Sequence, residues 1–201
     1  MGGFRRAVVL LTAGVLAGQL AGCQRAQPAP PPLPGADPSM ASATTSPGPS
    51  GSATAEPGAD LVTVTSTAPA DRAGARVFAD YVRFWQRDML ALRSNDLRRS
   101  GVLDYLFPPQ LQTTATYLAS QRRAGRHTEG VVGIHPDVTS VRGRYATIKD
   151  CLNQSGSYDL DRSGRRIPPS GRPRLPLVVA LQLGADDRWK VSTLSQVAGT
   201  C

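Results

Sequence analysis

Val77-Phe78-Ala79-Asp80-Tyr81-Val82-Arg83-Phe84-Trp85-Gln86-Arg87-Asp88-Met89-Leu90-Ala91-Leu92 is the stretch on which the fold turns. Phe78, Tyr81, Val82, Trp85, Met89 and Leu92 follow one another at steps of one, three and four residues, which puts them on one face of a helix. Val77 and Phe84 widen that face. Asp71 is suited to cap the helix N-terminus, and Arg93 near its end agrees with the helix dipole. A face this broad and aromatic is best read as the inner face against a sheet, with core as the default; lining a ligand cavity is the other reading. Tyr81 and Trp85 are the residues expected to face such a cavity. Asp80 and Asp88 fall beside the apolar stripe and read as solvated carboxylates.

Downstream, Ser94-Asn95-Asp96 breaks this helix and caps a second one carrying Leu97, Leu103, Leu106 and Phe107. Pro108-Pro109 ends it, and Pro109 opens a third helix that Gly125 stops, with Arg122 and Arg123 in its last turn. Beyond Gly125 the apolar period changes from that of a helix to two. Strands are expected around Val131–Ile134, Val138–Val141, Tyr145–Cys151 and Ser157–Leu160, and a hairpin of Leu175–Leu183 with Trp189–Val197 closes the chain. Ile167-Pro168-Pro169-Ser170-Gly171 reads as loop. Helices first and antiparallel strands afterwards make an α+β domain, placed at residues 72–201.

Upstream the composition changes. Residues 24–71 are rich in Pro, Ala, Ser, Thr and Gly and contain no aromatic side chain. Such a chain cannot bury enough apolar surface to offset its ordering entropy, so residues 23–71 are expected to form a disordered tether. As a coil it would span about 40 Å, and in polyproline form about 150 Å. Leu61-Val62-Thr63-Val64-Thr65 is the one β-like piece within it; it is assigned to the linker, with an added edge strand of the domain as the alternative. Before it, Arg5 and Arg6 precede a short apolar run that ends in Leu20-Ala21-Gly22-Cys23. A membrane-spanning helix needs about 20 apolar residues, whereas this pattern is that of a secretory signal peptide over residues 1–22. The Leu-Ala-Gly-Cys ending resembles the lipobox of bacterial lipoproteins. The resemblance implies lipidation of Cys23 and a protein anchored to the outer face of the cell membrane.

The chain has three cysteines. With Cys23 taken by lipid, Cys151 and Cys201 remain, and outside the cytoplasm two thiols are expected to join; two buried free thiols are the alternative. The net charge of +8 is carried by arginine, Lys149 and Lys190 being the only lysines. A basic surface draws polyanions in general, and a signal peptide makes nucleic acid the wrong one. Arg162, Arg165, Arg166, Arg172 and Arg174 gather on one stretch, as a basic finger for anionic lipid or wall polymer, or simply as a solvated loop.

Arg144-Tyr145-Ala146-Thr147-Ile148-Lys149-Asp150-Cys151 and Asp187-Arg188-Trp189-Lys190-Val191, in this order after three helices, are similar to strands of the nuclear transport factor 2-like superfamily, as found on lipoproteins of high-GC Gram-positive bacteria. The resemblance covers residues 72–201 and implies a curved sheet wrapped around the first helices as a cone with a potential pocket. Its motifs are structural and imply no activity. Some members run acid–base chemistry with a pocket Asp, His or Tyr, which makes Asp80, Asp88, Asp104, His127, His135 and Tyr81 the candidates here. None has a cluster of ligands beside it that would hold a metal. Asp159-Leu160-Asp161-Arg162-Ser163-Gly164 looks like a calcium loop, but its twelfth position is Ser170 rather than Glu, and arginines occupy its centre. The sequence therefore predicts a non-catalytic lipoprotein without cofactor or metal, binding a small apolar ligand or an envelope protein. An acid–base enzyme of isomerase or cyclase type and a passive assembly protein are the alternatives.

Overall fold

A computed structural model describes residues 56–169 and 171–201. The signal segment, Cys23 and the tether as far as residue 55 lie outside the described residues. Within them the chain is α+β: one long helix and two shorter ones pack on a bent sheet.

The long helix α1 (Arg72–Ser94) is capped as its sequence dictates, the Asp71 side chain accepting the Gly74 N–H at 2.7 Å. It ends at Asn95, whose φ of 53° is left-handed, a conformation that Asn tolerates. Helix α2 (Leu97–Ser100) is far shorter than the spacing of Leu97, Leu103 and Leu106 suggests. Gly101 takes φ 75° and stops it, and residues 102–105 continue as a single 3₁₀ turn. Leu106 is then extended and bridges to Val191 of the sheet. Helix α3 (Pro108–Ala124) starts with the proline pair at its free N–H end and stops at Gly125, with φ 66°.

The strands are β1 (Val62–Val64), β2 (His127–Gly130), β3 (Val132–Ile134), β4 (Asp137–Arg142), β5 (Tyr145–Asn153), β6 (Ser157–Leu160), β7 (Arg166–Ile167), β8 (Arg174–Leu183) and β9 (Trp189–Gln196). One sheet runs β1-β3-β5-β8-β9, with β4 also paired to β5; β2, β6 and β7 form a second. The β5–β8 ladder is its spine, in unbroken register from Tyr145 opposite Gln182 to Asn153 opposite Arg174. Register shifts within β4–β5 and β8–β9 bend the sheet locally. At the junction of the two sheets, Gly130 has φ 92°, and a Cβ there would sit 2.2 Å from the Gly156 carbonyl oxygen. Only glycine fits that approach.

Two expectations need correction. Val62–Val64 is an edge strand rather than linker. It pairs in parallel with Val132–Ile134, and Leu61 and Val62 are buried in the core. The helices therefore do not open the ordered domain; a strand precedes them. Ile167, expected in a loop, pairs with Asp159 as part of β7.

The core lies between α1 and the inner face of the sheet. Val77, Tyr81, Phe84 and Met89 of α1 meet Ala146, Ile148 and Leu152 of β5, Leu177, Val179 and Leu181 of β8, and Trp189 and Val191 of β9. Alternate residues of each strand point inward, as the pleat requires.

Candidate functional site

Several polar groups stand inside that apolar face. Asp150 stands in the inward series Ala146, Ile148, Asp150, Leu152 of β5 and is buried. One of its oxygens accepts the Tyr81 hydroxyl at 2.7 Å and the other the His135 N–H at 2.7 Å. Burial raises the Asp150 carboxyl above its ordinary range while these donors pull it back. Burial, then the Asp150 charge, hold the Tyr81 phenol well above its usual value, so it stays a donor. Tyr81 thus fastens α1 to β5 and has no exposed surface. It is a core residue, contrary to the expectation that it faces a cavity, because the bond to Asp150 turns its hydroxyl towards the sheet.

Asp80 is likewise inside, not solvated. It accepts the Trp189 backbone N–H at 2.9 Å and pairs with Arg83 at 3.2 Å. The helical series Val77, Asp80, Phe84, Asp88, Ala91, at steps of three and four, is a second column; Asp80 is buried in it, and Asp88 is half-buried.

Asp88 lies where that column leaves the packed core. A cavity of about 380 Å³ opens between α1, α3 and the sheet. Phe84, Trp85, Met89 and Leu92 of α1 form its apolar wall, joined by Val132 and Leu194. Gln110, Thr113 and Thr114 of α3, Thr128, Gln154, Ser157 and Asp159 supply the polar part, and Tyr117 stands at the rim. Tyr81 is not among the lining residues; Trp85 is. The Asp88 carboxyl is pushed from its ordinary range up to about 7, and desolvation is the whole cause. It is only partly exposed, and what it touches is the cavity.

A group whose folded pKa is raised binds a proton in the native state that the unfolded chain releases. Stability should therefore fall as pH rises from about 4 to about 7, and stay level above that. The whole shift would correspond to about 4 kcal/mol, and contact with cavity water reduces it. Asp88→Asn is expected to stabilise the domain by about 2–3 kcal/mol near pH 8 and to change little near pH 4. Thermal melts of both proteins at the two pH values check this, and an unaltered melting temperature at the higher pH would contradict it.

The remaining candidates are dispersed. Asp104 is exposed and pairs with Arg188 at 2.9 Å. His127 lies 3.8 Å from Glu129 on β2, whereas the His135 ring meets the Thr65 hydroxyl at 3.0 Å beyond β3. No group of three or more metal-ligating side chains occurs among the described residues. The Asp161 turn spends its oxygens on its own chain: Ser163 and Arg165 donate to them, and the carboxyl is held down at about 2, chiefly by the Ser163 hydroxyl. The five loop arginines do not form one finger. Arg165 pairs with Asp161, Arg166 covers the Tyr158 ring at 3.7 Å, and Arg172 donates to the Gly199 carbonyl. Arg162 lies against Gly125 at the end of α3, and Arg174 begins β8. A larger groove of about 570 Å³ holds Arg76, Arg83, Arg87 and Arg188, but each is paired with a carboxylate. Its charges are already compensated.

Cys151 and Cys201 form a disulfide, with Cα atoms 5.8 Å apart. It ties the C-terminal tail to β5, beyond the last pairing of β9.

The fold and its cavity define an α+β domain with a pocket lined by two carboxylates, Asp88 and Asp159. No protein-family model and no curated relative matches the sequence. Among solved structures it is similar to the intermembrane space region of the chloroplast protein ARC6, at 16% identity and a TM-score of 0.48, covering 65% of this chain and 100% of that one. A structure from Catenulispora acidiphila is similar at 14% identity and a TM-score of 0.39, covering 61% of this chain and 91% of that one. Likenesses this remote say nothing about what the chain binds.

Proposed function

We propose that this chain is a lipid-anchored lipoprotein of the extracytoplasmic membrane face, whose domain is a nuclear transport factor 2-like cone that binds a small, largely apolar ligand without transforming it. The observation that carries the binding reading is the cavity beside α1. Its 380 Å³ falls within the range of about 300–1,000 Å³ usual for small-molecule sites, and an apolar, aromatic wall faces polar side chains able to orient a ligand. A passive spacer would fill that space with its own side chains. The long helix on the inner side of a bulged sheet supports the cone.

Trp85→Ala tests the binding reading. Because one side of Trp85 borders space already empty, the loss of stability should lie at the low end for a buried aromatic, about 3 kcal/mol. Thermal melts with and without a membrane-lipid extract should show a ligand-induced shift in the wild type and none in the variant. A wild type that no extract component shifts would end this reading.

The anchor rests on Leu20-Ala21-Gly22-Cys23 alone. Cys23→Ser is expected to leave the precursor unprocessed by the lipoprotein peptidase and to move mature protein out of the detergent phase, since stable attachment takes more than one acyl chain. Unchanged partitioning would overturn it. Exposed Arg162 and Arg174 then offer contacts to anionic lipid or wall polymer.

The alternative of an acid–base enzyme has one observation in its favour, Asp88, a carboxyl inside the cavity with a pKa of about 7. A general base works best when its pKa is near the working pH.

A further inference from the structure

The cavity departs from the rest of the molecule in charge. The chain carries a net charge of +8, yet no Arg, Lys or His lines this space, and two carboxylates do. Asp159 of β6 has a partner, accepting the Thr128 hydroxyl at 2.7 Å. Asp88 of α1 has no hydrogen bond and no counter-ion among the described residues; burial alone acts on it. Three aromatic side chains, Phe84, Trp85 and Tyr117, share the same lining. The titratable groups facing Asp88 are Tyr117 from α3 and Asp159 from β6, while β3 and β9 contribute only Val132 and Leu194.

A half-buried carboxylate without a partner gains from a proton or a cation that joins it. A neutral ligand would bring no such gain, and an anion would meet two carboxylates at close quarters. Aromatic faces add attraction for a positive charge through their quadrupole. Resting on the reading of the cavity as a small-molecule site, we infer that its ligand is a compact apolar molecule carrying one cationic nitrogen, with Asp88 as the counter-ion. The arginine-rich surface around the domain makes this the place where a cation is preferred.

Three probes of similar size separate the terms: phenethylammonium, phenethyl alcohol and hydrocinnamate, titrated by NMR into the full chain with its disulfide intact. Near pH 8 the ammonium should bind at least about tenfold more tightly than the alcohol, and the carboxylate should not bind. Below about pH 7 a proton occupies Asp88, so the preference for the ammonium should shrink as the pH falls. Asp88→Asn should abolish the preference at every pH, and the wild-type pH titration stands as evidence even if that variant is poorly behaved. Equal binding of ammonium and alcohol would overturn the inference and leave the pocket intact. A preference for ammonium that survives in Asp88→Asn would also overturn it. Binding of none of the three would overturn the inference and the ligand-binding reading together.

Discussion

Asp150→Ala is expected to cost about 3–5 kcal/mol, because it removes a buried acceptor from the buried Tyr81 hydroxyl and from the part-buried His135 N–H. The Tyr81 hydroxyl and the His135 N–H both end on this carboxylate, at 2.7 Å each. The Tyr81 hydroxyl has no water to turn to, since Tyr81 has no exposed surface and Asp150 almost none. Tyr81→Phe removes one donor only and should cost less, about 1.5–3 kcal/mol, the value of a hydrogen bond to a charged group. Chemical denaturation of the two variants and of the double mutant measures the coupling between them. Additive losses would mean that the bond from α1 to β5 contributes nothing of its own.

Removing the disulfide should have an effect of similar size. Cys151 and Cys201 close a loop with a sequence separation of 50, which constrains the unfolded chain by about 4 kcal/mol in the chain-entropy account. For a domain of this size that corresponds to a fall in melting temperature on the order of 10–15 °C. Melts of the oxidised protein and of Cys151→Ser/Cys201→Ser check it, and non-reducing peptide mapping should recover the linked pair from the native protein. The tail beyond β9 should become the first part to open, since its remaining ties are the Val197 N–H to the Pro176 carbonyl and the Arg172 bond to Gly199. A variant that melts with the wild type would remove the disulfide from the account of stability.

Some of the site was legible in advance and was misjudged. On a helix, Val77, Asp80, Phe84, Asp88 and Ala91 form a column as regular as the aromatic one beside it, so the inward position of both aspartates was open to inspection. On β5, alternation alone places Asp150 between Ile148 and Leu152 on the buried face. An acidic residue at an apolar position of a periodic series is the signal, since burying a carboxylate without partners is too costly to occur idly. Spacing shows that such a group is inside; it does not show what meets it there.

By itself the sequence determined what depends on neighbours along the chain: the aromatic helix and its Asp71 cap, the stop at Gly125, the hairpins, and the α+β class. Its three cysteines, with Cys23 expected to carry lipid, also left Cys151 and Cys201 as the pair to be joined. These follow from periodicity, caps and turn residues, which act over a few positions. Tertiary structure alone decided what depends on distant partners. Val62–Val64 is a strand only because Val132–Ile134 lies beside it, and Tyr81 is a core residue only because Asp150, 69 positions away, receives its hydroxyl. Trp85 and Asp88 border a cavity only because α3 and the sheet stand off from α1 at that point. Empty space is a property of how elements fit together, and no single stretch of chain encodes it.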